Sequence, residues 1–267
     1  MNRSVLAKTL RDYYRPMLFW MLGLGALALV QMSVYPSLQK SAPQMLEYVE
    51  TMPDAMKAMF GLESMDYTSP AGYLNAEMFS MVVPMIFAAF AMGAGSRAVA
   101  GEEDRKTLDL LLSTPISRKS IVAQKFAAMA VDVALLAAVL ALCLWLGGLP
   151  IDFDMDAGHM LAACLNAALL GLVMGSIALL IGSWRGGRGF AIGVTGALLV
   201  GFFLLESLSQ IVESLKPFRK ISPFYWYSDA DALRSGLDLA DAAVLLVTSL
   251  VLASLALIAF DRRDLHA

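Results

Sequence analysis

Apolar runs of about 20 residues recur along this chain, and they constrain it more than any other feature. A helix rising 1.5 Å per residue needs about 20 residues to cross the hydrocarbon core of a bilayer. Six segments are near that length: 16–35 (PMLFWMLGLGALALVQMSVY), 77–99, 126–148, 160–183, 190–208 and 241–260. Hydrophobic residues make up 58% of the chain and charged residues only 16%, too little polar surface to coat a soluble fold. The sequence therefore predicts an all-α integral membrane protein with six transmembrane helices, a single domain over 1–267. The first run exceeds the apolar part of a signal peptide, and PSLQK follows it rather than a small-x-small cleavage site, so it reads as a retained helix.

The placement of Lys and Arg sets the expected orientation. With the N-terminus in the cytoplasm, Arg3, Lys8, Arg11, Arg15, Arg97, Arg105, Lys106, Arg118, Lys119, Lys125, Arg185, Arg188, Arg262 and Arg263 fall on that side. These are fourteen of the twenty basic residues, so both termini are expected inside. Lys216, Arg219 and Lys220 form an outer cluster that runs against the bias.

Three segments outside the spans have character of their own. Residues 1–15 place Leu6, Leu10, Tyr13 and Tyr14 on one helical face, with Ser4 as a cap, as in a helix lying on the inner membrane surface. Residues 36–73 read as short amphipathic helices broken by Pro43, Pro53 and Gly61. Met45, Met52, Met56, Met59 and Met65 decorate that stretch, where flexible packing explains them better than Cu(I) ligation. Residues 209–240 contain Pro217, Pro223 and the aromatic run Phe224, Tyr225, Trp226 and Tyr227, which fits short helices dipping at the outer surface behind an interfacial belt.

The densest charge lies at 102–106, between the second and third spans, in the loop 101–116. Glu102 to Leu112 can form a helix of about 16 Å. Leu108, Leu111 and Leu112 line one face, and the acids sit at its start, where the helix dipole favours them. Thr114-Pro115 ends it, and Ser117 can cap the next segment. A solvated loop obeying the charge bias explains the basic residues but not this ordered leucine face. Such a helix can dock into a groove on a soluble partner.

The stretch AGEEDRKTLDLLLSTPISRKSIVAQKF resembles the signature loop of the type-two ABC exporter permeases: G-E-E, T-L-x-x-L-L, T-P-x-S-R, and a lysine before the third helix. The ending SPFYWYSDADALRSGLDLAD…FDRRDL is similar to members whose permease is a separate polypeptide. The resemblance implies a multi-pass subunit of the bacterial inner membrane, surrounded by lipid, that pairs with a second permease, each copy also binding a separately encoded ATPase. It implies export, a cytoplasmic coupling helix and outer re-entrant helices. Carried onto this chain, Gly101, Glu102, Glu103, Thr107, Leu108 and Leu111 are the expected ATPase-coupling positions. No Gly-Lys dipeptide occurs, so no Walker A motif is present; ATP and Mg would be bound by the partner, and no cofactor, metal or nucleic acid is expected on this chain.

Asp132 in the third span and Glu206 near the outer end of the fifth are intramembrane acids, functional candidates by default. Asp132 could serve the transport path or pair with another helix, for example through Asn166. An ion-coupled secondary transporter using these acids is the alternative function, although no inverted repeat supports it. An intramembrane protease has no support: no H-E-x-x-H occurs, and Asp229 and Asp231 sit in an outer loop. GAGSRA at 93–98 lacks the preceding strand of a dinucleotide site. Cys143 and Cys164 read as small buried hydrophobes. Finally, Gly189, Gly193, Ala197 and Gly201 repeat every four residues on the fifth span, a small face suited to close helix packing or to a dimer interface.

Overall fold

The computed structural model describes residues 5–51, 69–108, 113, 116–151, 153–228 and 231–263, with only the backbone of 42–50. Every regular element among them is helical. Five of the described helices are long and apolar enough to cross a membrane, or six if a pair bent by 43° at a short break counts as one span.

The first helix, α1 (Val5–Glu50), runs 46 residues without interruption. The expected surface helix and first span are therefore one element, and Pro43 does not end it. The free Leu6 N–H of its first turn donates to Gln124 Oε1 at 3.1 Å. Met45 falls within α1; Ser4, Met52, Pro53, Met56, Met59, Gly61 and Met65 lie outside the described residues.

The second span is broken. Ser69 caps α2 (Pro70–Leu74), accepting from Gly72 N at 3.1 Å, with Pro70 starting the helix. A π-helical turn, Asn75–Phe79, follows and meets α3 (Val82–Ala98) at a 43° bend. Beyond α3 come the short α4 (Ala100–Asp104) and the third span, α5 (Arg118–Gly148). Ser117 caps α5 as expected, accepting from Ser120 N at 3.3 Å. Asp156 caps α6 (Ala157–Arg185) through His159 N at 3.0 Å. Gly186 and Gly187 then turn the chain with φ of 75° and 72°, and α7 (Arg188–Ser209) begins at once. A side chain at Gly186 would also strike the Glu103 carboxylate and the Arg263 guanidinium. At the far end lie a 3-10 stretch (Glu213–Ile221), α8 (Pro223–Ser228) and α9 (Ala232–Ser235). Asp238 caps the last span, α10 (Leu239–Arg262), through Ala240 N at 2.7 Å.

Helix α6 is the axis of the bundle. Its apolar stretch is 78% buried, against 28% for α1 and α10 and 22% for α7. Gly171, Gly175 and Gly182 bring it against α3 and α4. A Cβ on Gly175 would lie 2.9 Å from the Ala91 carbonyl oxygen, and one on Gly95 would run into the Gly175 carbonyl. Lipid is as apolar as leucine, so this seam is held by close van der Waals contact rather than by expulsion of water. Outward-facing side chains such as Phe19 and Leu22 on α1, or Val200 and Leu204 on α7, are exposed apolar surface suited to acyl chains.

The aromatic run of α8 is only half a surface belt. Phe224 and Tyr227 are buried, the first edge-on to Phe203 at 5.6 Å. The Tyr227 hydroxyl donates to the Phe79 carbonyl at 2.6 Å, satisfying backbone at the break in the second span. Tyr225 and Trp226 stay half-exposed and pack edge-to-face at 5.0 Å.

Candidate functional site

At one end of the bundle, three helices each turn a polar stripe toward a common space. Helix α1 contributes Thr9, Asp12, Tyr13 and Pro16; α3 contributes Ala94, Arg97 and Ala98, with Gly101 on α4 continuing the series; α5 contributes Lys125, Met129 and Asp132. Spacings of three, four and seven residues put each set on one helix face. Together with Glu102, Asp104, Arg105 and Arg188, they line a cavity of about 330 Å³.

Its charges are unevenly partnered. Lys125 Nζ lies 2.7 Å from Glu102 Oε1, and the Thr107 hydroxyl donates to Glu102 Oε2 at 2.6 Å. Burial pushes the Glu102 carboxyl upward, but hydrogen bonds from Lys125 and Thr107 and the Lys125 charge outweigh it and hold the group below its usual range. Arg97 stacks its guanidinium 3.9 Å from the Tyr13 ring centroid. Asp132 is 5% exposed, yet among the described residues it makes no hydrogen bond or ion pair. Asn166 is not its partner: that amide donates to the Tyr227 carbonyl at 2.9 Å, near the opposite end.

The charge block at 102–106 is not one long helix. Helix α4 ends at Asp104, and Lys106 takes a left-handed φ of 56°, so the chain forms an elbow. The cause is local: the Thr107 N–H and hydroxyl both turn back to the Glu102 carbonyl, at 2.9 and 3.1 Å. Glu102, Glu103 and Asp104 point in three directions, about 100° apart. Glu102 holds Lys125 on α5, Glu103 holds Arg263 just past α10 at 2.5 Å, and Asp104 accepts from the Arg188 N–H of α7 at 3.1 Å. The Arg118 guanidinium adds a bond to the Arg263 carbonyl at 3.0 Å, and Lys119 pairs with Asp261 at 3.2 Å.

Two sequence expectations for this loop therefore change: the helix from Glu102 stops at Asp104, and Leu108 does not face outward. Glu102 and Glu103 are both partnered within the chain. Leu108 is buried with Val99, Val122, Leu179 and Phe260, so it faces its own core instead of a partner's groove. Leu111 and Leu112 lie outside the described residues. Gly101 and Glu102 share the cavity with Asp132, a juxtaposition the sequence did not announce.

A family model described as ABC-2 family transporter protein matches residues 3–265. The chain belongs to that family. No curated protein matches it. As an ABC-2 permease it is a multi-pass membrane subunit of a transport system, and an ABC ATPase is the partner its family implies.

The other candidates of this ABC-2 permease lie elsewhere. Glu206 is buried near the opposite end, gripped by Arg219 at 2.6 to 3.0 Å and by the Ser228 hydroxyl at 3.2 Å. It borders a second cavity, of about 400 Å³, between the broken second span and the short helices α8 and α9. Gly189, Gly193, Ala197 and Gly201 are all exposed, and a Cβ added at any of these glycines meets nothing within 4 Å. Sequence reasoning missed Arg97, Lys125 and Arg188 as site residues because the charge bias already accounted for them. The spacing of Lys125, Met129 and Asp132 along one face of α5 was the available signal.

Proposed function

We propose that this chain is the permease half of an ATP-driven exporter, working in the bacterial inner membrane as a pair of copies with a separate ATPase on the cytoplasmic side. The observation that carries this reading is the elbow at 101–108. It sits at the end shared by the starts of α1 and α5, the α6–α7 turn and the end of α10, and it is fastened to three spans. An ATPase that moves the elbow biases the membrane domain between inward-open and outward-open states. Of its three exposed side chains Asp104 is tied to the Arg188 N–H, which leaves Arg105 and Lys106 to offer a partner, while the small face of α7 is available to the second copy.

An ion-coupled transporter gains nothing from Glu206, whose carboxylate is held in a two-pronged ion pair. Asp132 alone keeps that second reading in view.

The test is copurification of the ATPase with the double variant Arg105→Glu/Lys106→Glu. Both positions face solvent, and twelve of the fourteen cytoplasmic basic residues remain to set orientation, so insertion should be normal. Like charges at a docking surface can cost several kcal/mol, and ATPase recovery should fall at least tenfold. Full recovery with full transport would rule out the elbow as the docking point.

A further inference from the structure

We propose that the cavity at the elbow end binds a zwitterion, an ammonium and an anionic group a few bonds apart, with the ammonium on Asp132 and the anion on Arg97 and Arg188. Calling that ligand cargo rests on the permease reading above; the binding chemistry does not.

Asp132 is nine-tenths buried, lines the cavity and has no partner among the described residues. A carboxylate in that position demands a donor. The basic side chains are unequally employed. Lys125 is committed to Glu102, whereas Arg97 stacks on the Tyr13 face and reaches Asp132 only through space, and the Nε of Arg188 is buried without a hydrogen-bond partner. Arg97 and Asp132 form no ion pair with each other, so the structure leaves an unsatisfied anion and unsatisfied cations on one wall-to-wall space.

Their depths are ordered. Asp132 lies seven residues beyond Lys125 on α5, about 10 Å further along the axis, while Arg97 lies one turn before α4 and Arg188 at the first residue of α7. A ligand therefore enters ammonium first and leaves its anionic group nearer the elbow. At about 330 Å³ the space admits a small headgroup and not a large drug. A pure cation would leave the arginines unanswered, and a pure anion would repel Asp132.

The chemistry is shared by a free small molecule and by an aminophospholipid headgroup. The experiment uses the full chain, without ATPase, in phosphatidylcholine nanodiscs, whose quaternary nitrogen has no N–H to donate. Calorimetric titration compares phosphoethanolamine, ethanolamine and inorganic phosphate. Phosphoethanolamine should bind at least tenfold tighter than either fragment, and Asp132→Asn should erase that advantage without weakening phosphate binding, which gains from the lost repulsion. Competition by phosphatidylethanolamine placed in the disc identifies the headgroup as the source; undiminished binding in its presence identifies a soluble zwitterion. Three affinities within twofold of one another, no binding, or an advantage that survives in a folded Asp132→Asn protein would overturn the proposal. If that variant does not fold, the comparison of the three compounds on the unmodified chain decides alone. ATPase copurification reads the permease assignment separately, so either idea can fail without the other.

Discussion

Glu102 and Lys125, 23 residues apart, meet at 2.7 Å where the elbow crosses the start of α5. The lysine is 8% exposed and the glutamate 24%. Removing one partner leaves a largely buried charge unanswered, whereas removing both does not. Glu102→Gln or Lys125→Met alone should destabilise the permease by on the order of 2 kcal/mol, below the range for fully buried pairs because Glu102 keeps some water. The double variant should recover at least half of that. Thermal melting of all four proteins in one detergent closes the cycle, and strictly additive losses would mean that the two groups do not interact.

The same pair gives a pH signature. The Glu102 carboxyl lies below its usual range when folded, and an unfolded glutamate titrates near about 4.3. A group depressed on folding stabilises above its unfolded value and loses that contribution as pH falls through the folded one. The melting-temperature gap between the unmodified protein and Glu102→Gln should thus be constant at neutral pH and narrow below about pH 4. A gap that persists unchanged to pH 3 would contradict the assignment.

Two small-residue stripes should respond in opposite ways. A Cβ at Gly175 would lie 2.6 Å from the Met129 sulfur and 2.9 Å from the Ala91 carbonyl oxygen, so Gly175→Ala should cost about 1–3 kcal/mol through overpacking. Gly193 has open space. Gly193→Leu should leave the melting of a single copy unchanged and weaken pairing if α7 faces the second permease, read by oxidative cross-linking at Ala197 in a cysteine-free background. Equal melting losses at both sites would place the α7 stripe inside the subunit.

Tyr227→Phe tests the break in the second span. It removes the donor to the Phe79 carbonyl and leaves a buried acceptor unsatisfied, at a cost of about 1–3 kcal/mol. Hydrogen exchange should rise first at 75–81. Protection unchanged there would show that the bend is held by packing alone.

The all-helical membrane fold and the Ser117 cap were legible because each is written in contiguous residues. The continuity of α1 through Pro36 and Pro43 was not, since proline lowers the odds of a helix without always ending one. The cavity was illegible for another reason. Its walls are stripes on α1, α3 and α5, and the distance from Tyr13 to Asp132 in sequence hides that they share a space. The glycines of α6 and those of α7 look alike in one dimension, and only the packing partner tells a closed seam from an open one.

The run Glu102, Glu103, Asp104 has a mechanical meaning. Each successive carboxylate grips a different part of the bundle: Lys125 on α5, Arg263 beyond α10, and the first N–H of α7. A hub with three spokes cannot be pushed along one of them without loading the other two. Any displacement of the elbow would therefore load the contacts to all three spans together, rather than tugging on a single rope.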